Sequence, residues 1–269
     1  MDIIQILILG IVQGISEWLP ISSKTLDAFV FLLLGGQASE TIYVLLYLHL
    51  GTLLAAAAYF HKQIIGLAKE LFKIRKISDF EKSQLKFYIS ALFGTALVAL
   101  PLLAIQSFLF PSLSANLIFL LMGAGLLVTS IFLFLRAGKV QVRMLEQANG
   151  IDGLFTGIMQ GLSVIPGISR SGAGTTALFW RKFRPEAAFE LCFILSIPTV
   201  LGAEMLFYFL DSGFAAFNIF DGLLLAGSSF LFGYITIGVL LDFAKKTNLA
   251  LLAAAFGIIM IIAGFIGIS

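Results

Sequence analysis

The sequence predicts an all-α integral membrane protein, arranged as an inverted repeat with six transmembrane helices and two re-entrant helical hairpins. Of its 269 residues, 59% are hydrophobic and only 12% are charged, which is about half the charged fraction of a soluble domain. Six apolar runs approach the length of about 20 residues that spans a bilayer. These runs cover residues 43–60, 87–108, 117–135, 187–210, 222–241 and 249–268.

The basic residues predict how these runs are oriented. Fifteen of the seventeen Lys and Arg residues lie in four connections, at residues 62–86, 136–143, 181–184 and 245–246. By the positive-inside rule these connections face the cytoplasm, and we expect both termini on the non-cytoplasmic side. Residues 3–35 and 150–181 then have to begin and end on one face of the membrane, which predicts two re-entrant segments.

The two re-entrant segments share a motif. GIVQGISEWLPISSKT, from Gly10, and GIMQGLSVIPGISRSGAGTT, from Gly157, match at an offset of 147 residues, and three apolar runs follow each of them. An odd number of spans inverts the second copy, so residues 1–136 and 150–269 form two repeats of a single membrane domain, residues 1–269. Inverted repeats with interrupted helices point to a binding site near the membrane midplane.

Polar residues at the two tips predict an anion site. Pro20 and Pro166 interrupt the first half-helix of each segment, and the N-terminus of a second half-helix attracts anions. The serines that can cap that second half-helix are Ser22 or Ser23 and Ser169 or Ser171. Lys24 and Arg170 are the two cations outside the basic connections, and glycines such as Gly172 allow close backbone approach. A diphosphate fits these features because arginine matches the geometry of phosphate oxygens.

Two carboxylates and two amides accompany this site. Glu17 and Asp27 can hold a divalent cation, act as a base, or neutralise the two cations, and the residues alone leave these roles open. For Asp27 we favour pairing with Lys24 along one helix turn. Gln13 and Gln160 occupy matching positions in the repeat, and we expect them to hydrogen-bond across the two half-helix pairs.

The segments QGISEWLPISS and PGISRSG, with the inverted repeat, resemble the undecaprenyl-diphosphate phosphatase family, also called the bacitracin-resistance protein family. The resemblance covers essentially the whole chain. It implies hydrolysis of the lipid carrier undecaprenyl diphosphate to undecaprenyl phosphate in the plasma membrane, which recycles the carrier for cell-wall synthesis. It also implies a divalent cation, Mg²⁺ or Ca²⁺.

The resemblance assigns roles to residues of both tips. Glu17 matches the second glutamate of the family's Glu-x-x-x-Glu motif, Ser22 and Ser23 match its Ser-Ser pair, and the family's arginine, which holds the diphosphate, matches Arg170. We therefore expect catalytic roles for Glu17, Ser23 and Arg170, and metal binding by Glu17 and Asp27. The expected substrate-binding residues are Ser22, Lys24, Ser169, Ser171, Gly172, Gln13 and Gln160.

Two departures from the family pattern leave an alternative open. Gln13 stands where the family has its first glutamate, and Leu26 stands where it has a histidine. Of the two histidines present, we expect His61 to be solvated and His49 to pack structurally, with a role in the site as the alternative. Hydrolysis of a polyprenyl diphosphate is the leading hypothesis, and transport of polyprenyl phosphate between leaflets without hydrolysis is the alternative. No feature indicates nucleic-acid binding.

Overall fold

The computed structural model describes residues 1–73, 84–109, 113–135, 142–210, 217–246 and 248–267. This part of the chain contains eleven α-helices and no β-sheet, apart from an isolated bridge between Arg143 and Phe183. In chain order, the helices are α1 (Ile3–Ser16), α2 (Ser23–Leu33), α3 (Thr41–Tyr59), α4 (His61–Lys73), α5 (Leu85–Leu109), α6 (Ala115–Phe134), α7 (Gly150–Gly161), α8 (Arg170–Trp180), α9 (Pro185–Leu210), α10 (Ile219–Lys246) and α11 (Leu249–Ile266).

Six of these helices are long and apolar enough to cross a membrane: α3, α5, α6, α9, α10 and α11. They coincide with the six predicted runs, so the prediction of an all-helical, multi-pass membrane protein is confirmed. The predicted basic connections are described only in part. Residues 74–83 and 136–141, and the side chains of residues 245 and 246, lie outside the described residues.

Five of the described helices are too short to cross: α4 stands alone, and the other four form two consecutive pairs. At about 1.5 Å per residue, α1 and α2 are roughly 21 Å and 16 Å long, and α7 and α8 roughly 18 Å and 16 Å, against a hydrocarbon core of about 30 Å. The first helix of each pair packs against a long helix of the other half of the chain, α1 on α10 and α7 on α5.

Glycines allow these two close packings. A Cβ atom added at Gly10 would lie 1.9 Å from Ser228 Oγ on α10, and one added at Gly157 would lie 2.0 Å from the carbonyl oxygen of Ala91 on α5. Gly14 and Gly161, one turn later in each helix, are also crowded, since an added Cβ would lie 2.6 Å and 2.7 Å from the nearest atom. The Gly-x-x-x-Gly spacing in both motifs therefore reflects contact between helix backbones.

We expect Gly157→Ala to lower the thermal midpoint of the purified protein by several degrees. The new methyl group would meet backbone rather than a movable side chain, and overpacking of this kind costs about 1–3 kcal/mol. Gly227→Ala on α10 is the matched control, because a Cβ there would meet no atom within 4 Å. Equal midpoints for the two variants would contradict the proposed backbone contact.

An ion cluster fixes the start of α7 to the connections before and after it. The Asp152 carboxylate is fully buried and accepts hydrogen bonds from Arg143 at 2.6 Å and 2.8 Å and from Arg181 Nε at 2.6 Å. Asn149 caps the same helix end. Burial raises the pKa of Asp152, but the hydrogen bonds from both arginines outweigh it and hold the pKa below its usual value.

We expect Asp152→Asn to destabilise the protein by about 3 kcal/mol at pH 7, because it leaves two guanidinium groups without their buried partner. A carboxyl group whose pKa is lowered in the folded state stabilises the protein fully when the pH is above its pKa in the unfolded state, about 3.9. This stabilisation is lost as the pH falls through the pKa of the folded state. The difference in unfolding midpoint between wild type and variant should therefore be constant above about pH 5 and shrink below pH 4. A difference that stays constant to pH 3 would contradict this account.

Candidate active site

The tips of the two short-helix pairs touch each other. Ser171 Oγ, in the first turn of α8, donates a hydrogen bond to the carbonyl oxygen of Leu19 at 3.1 Å. Gly172 faces Pro20, because a Cβ added there would lie 3.2 Å from the Pro20 Cβ. The start of α8 thus rests on the turn between α1 and α2, and the predicted meeting of the two polar tips is observed in this contact.

Glu17 is the centre of the polar cluster at this contact. Its side chain is buried and follows the last turn of α1. Oε2 accepts hydrogen bonds from Ser23 Oγ at 2.6 Å and from Gln13 Nε2 at 3.2 Å. Oε1 accepts one from Arg170 Nη2, which forms a salt bridge between the two halves of the chain. Four of the residues predicted for the site therefore meet in one place.

Part of the Arg170 guanidinium group is available to bind a ligand. One of its terminal nitrogens, Nη2, is bonded to Glu17, whereas Nη1 is buried and has no hydrogen-bond partner among the described residues. Lys24 lies in the first turn of α2 with an exposed side chain, in electrostatic range of Arg170, Glu17 and Glu204. The cluster therefore presents positive charge that its own carboxylate does not fully engage.

Ser169 caps the second tip as predicted. Its Oγ accepts a hydrogen bond from the Gly172 amide at 3.1 Å and lies 3.2 Å from Ser171 Oγ. The Ser169 amide donates to Thr129 Oγ1 on α6 at 3.0 Å. Thr129 is fully buried and was not predicted from the sequence, because only the fold brings α6 beside the second tip.

The first tip differs from the prediction. Ser22 stands at the N-cap of α2, but its φ of 59° is left-handed and its side chain makes no capping hydrogen bond. The hydroxyl lies 3.1 Å from Thr25 Oγ1 instead. Ser23 does not cap the helix either, because its hydroxyl is used by Glu17. A left-handed serine is strained by about 1–2 kcal/mol, and such strain concentrates at functional sites.

The two repeat-related glutamines do not bond across the helix pairs as expected. Gln13 Nε2 reaches Thr52 Oγ1 on α3 at 2.9 Å in addition to Glu17. Gln160 Nε2 donates to Thr95 Oγ1 on α5 at 3.2 Å. The expectation fails because each amide faces the long helix beside it. Gln13 belongs to the Glu17 cluster, whereas the hydrogen bond from Gln160 ties α7 to α5.

Asp27 is the unexplained carboxylate. It is fully buried one turn after Ser23, and neither of its oxygens has a hydrogen-bond partner among the described residues. The favoured pairing with Lys24 is therefore not formed. Both oxygens of Glu17 are already used, and the described residues contain no group of three or more His, Cys, Asp or Glu that could hold a metal ion. A cation would find free protein oxygens at Asp27 rather than at Glu17.

His49 faces this cluster from α3. Its Nε2 lies 3.6 Å from Glu17 Oε2, its Nδ1 lies 2.6 Å from the carbonyl oxygen of Leu45, and the side chain is buried. The structural role expected for His49 thus gives way to the alternative, a position in the site. The sequence signal was the presence of an ionisable residue within an apolar run, which is unusual unless it faces a polar interior.

Known proteins resemble this chain over almost its whole length. The family model for the bacitracin resistance protein BacA matches residues 6–266. The chain belongs to the BacA family. An undecaprenyl-diphosphatase of Methanococcoides burtonii is 35% identical to it over 97% of each chain. One of Pyrobaculum aerophilum is 33% identical, covering 100% of this chain and 99% of the relative, and one of Saccharolobus solfataricus is 36% identical, covering 96% and 94%.

For this BacA-family chain, the position of the motif histidine is occupied by a residue of the apolar core. Leu26 is 7% exposed and packs in a cluster that includes Trp18 and Leu178. The tip of the first helix pair therefore contains no histidine, and the imidazole nearest to Glu17 belongs to α3.

We expect Ser22→Gly to be more stable to heat than Ser22→Ala by about 1 kcal/mol, because glycine adopts the left-handed conformation without strain. Both substitutions remove the hydroxyl, so the difference between them isolates the backbone conformation. The measurement is the unfolding midpoint of each purified variant. Alanine equal to or above glycine would contradict a left-handed residue 22.

Proposed function

We propose that this protein is an undecaprenyl-diphosphatase, which hydrolyses undecaprenyl diphosphate to undecaprenyl phosphate and phosphate. The observation that carries the proposal is the buried Nη1 atom of Arg170, which stands at the start of a helix and has no hydrogen-bond partner among the described residues. The BacA-family relatives named undecaprenyl-diphosphatase, which match almost the whole chain, support the same reaction.

We further infer that the two short-helix pairs are re-entrant hairpins of an inverted repeat. Their lengths support this, since none of the four helices reaches across a bilayer. The packing supports it too, because α1 contacts α10 as α7 contacts α5, and the crowded glycines recur at the same repeat positions. The placement in the plasma membrane, with both termini on the non-cytoplasmic side, rests on the basic connections and on the family.

In this proposal the diphosphate binds where the two tips meet. Arg170 Nη1 offers a hydrogen bond and a charge, and the amides of Arg170 and Ser171 belong to the first helical turn, which has no intrahelical acceptor for them. Lys24, whose side chain is exposed, adds a second positive charge. The phosphate oxygens compete with Glu17 for Arg170, and the pairing with phosphate is bidentate and charge-assisted.

Ser23 and Glu17 then perform the reaction. Ser23 Oγ attacks the terminal phosphorus, its proton passes to Glu17 Oε2, and the bond from phosphorus to the bridging oxygen breaks with undecaprenyl phosphate as the leaving group. Water hydrolyses the phosphoserine in a second step, which releases phosphate and returns the serine proton. The 2.6 Å hydrogen bond from Ser23 to Glu17 is the geometry that a nucleophile and its base require.

We propose that a divalent cation, Mg²⁺ or Ca²⁺, binds together with the diphosphate. Mg²⁺ is commonly held by one or two carboxylates and by substrate phosphates, so a site completed by substrate needs few protein ligands. Asp27 fits as the protein ligand because both of its oxygens are free. The ion would neutralise charge on the bound diphosphate and on the departing undecaprenyl phosphate.

The test is phosphate release from undecaprenyl diphosphate by the purified protein, with Mg²⁺, with Ca²⁺ and with a chelator. We expect release that needs a cation and that Arg170→Ala lowers by about 100-fold or more, as for other preorganised charges at a reacting phosphate. Arg184→Ala is the matched control and should leave the rate unchanged, because Arg184 is exposed and contacts Met144.

Two outcomes would contradict the proposal. Full activity of Arg170→Ala would place the chemistry elsewhere. Absence of phosphate release from a folded protein that still binds undecaprenyl diphosphate would instead favour the transport hypothesis, for which the readout is movement of polyprenyl phosphate between the leaflets of liposomes.

A further inference from the structure

The hydrogen bonding of His49 fixes which of its nitrogens carries a proton. A carbonyl oxygen only accepts hydrogen bonds, so Nδ1, at 2.6 Å from the Leu45 oxygen, is the N–H donor. Nε2 points the other way, 3.6 Å from Glu17 Oε2. In the neutral imidazole this nitrogen is an acceptor, and it is placed beside the base proposed for Ser23.

Two acceptors that face each other in a buried site are stabilised by one shared proton. Glu17 Oε2 already receives hydrogen bonds from Ser23 and Gln13, so it is the oxygen to which the serine proton would move. A proton that stays on Glu17 would leave the carboxyl neutral and without its function as a base. Transfer to His49 Nε2 would restore the carboxylate and its charge.

We infer that His49 is the proton acceptor behind Glu17, and that it replaces the histidine that the family motif places at the tip. This inference rests on the proposed phosphatase function. During serine attack, the proton leaves Ser23 Oγ for Glu17 Oε2 and then occupies His49 Nε2, giving an imidazolium. It returns by the same route when water cleaves the phosphoserine. His49 does not contact the substrate and is a positioning residue that acts through Glu17.

The charged groups around His49 come from four other parts of the chain: the end of α1, α2, α8 and α9. Lys24 on α2 and Arg170 on α8 oppose a positive imidazole, and Glu17 favours it. Glu204 on α9 is in electrostatic range of Lys24 and Glu17. A bound diphosphate engages Lys24 and Arg170, so the imidazole accepts a proton most easily when substrate is present.

The experiment measures the pH dependence of kcat and KM for phosphate release from undecaprenyl diphosphate. Wild type, His49→Gln and His61→Gln are compared, and the last is the matched control because His61 is exposed and its Nδ1 lies 2.8 Å from the Ala58 carbonyl oxygen, away from the Glu17 cluster. We expect His49→Gln to lower kcat about 100-fold with KM changed less than about threefold, since proton transfer contributes about 10²–10⁴ to a rate. The acid limb of the wild-type kcat profile should disappear in His49→Gln and remain in His61→Gln.

The results separate this inference from the proposed function. If wild type releases no phosphate, the phosphatase function itself fails. If wild type releases phosphate and His49→Gln keeps kcat within threefold, or loses kcat with an unchanged pH profile, the proton role of His49 is wrong. Unfolding midpoints identify a variant that fails to fold, and His49→Asn is then the second variant.

Discussion

The salt bridge between Glu17 and Arg170 joins residues 153 positions apart and holds the two polar tips together. Glu17 is buried, so removal of the arginine leaves a buried carboxylate without its cation, at a cost of about 3–5 kcal/mol. The other contacts of the cluster depend on it. Gln13 and Ser23 bond to the same carboxylate, and Ser171 reaches Leu19 only when the start of α8 lies at the first tip.

The two halves of the chain use similar helix packing but carry different polar side chains at their tips. Gly10 and Gly14 pack α1 on α10 as Gly157 and Gly161 pack α7 on α5, so the backbones of both tips are positioned by the same backbone contacts. At the repeat position of Glu17, however, the second half has Val164. One tip therefore brings the carboxylate and the serine that we propose as the nucleophile, and the other brings the guanidinium. The two similar motifs differ at this position, so the charges of the two tips are complementary.

Composition and periodicity were enough to predict the six spans, because apolar length is a local property of the sequence. The meeting of Glu17, Ser23 and Arg170 also followed from the repeat and the family motifs. The sequence did not predict the contacts of Thr52 and Thr129 or the position of His49, because these depend on which long helix lies beside each tip. The left-handed conformation of Ser22 was not predicted for a different reason. Serine is an ordinary N-cap residue, so its identity alone does not indicate a positive φ.

The salt bridge also couples binding to reactivity in the proposed mechanism. Without an anion, Arg170 and Glu17 neutralise each other, and Glu17 is a poor base because it is bound to a cation. A diphosphate that takes Arg170 frees the carboxylate at the moment when Ser23 needs a proton acceptor. The same exchange places negative charge near His49 and favours its protonation. A ligand without a phosphate dianion cannot make this exchange, so the site would discriminate by charge before any contact with the lipid chain.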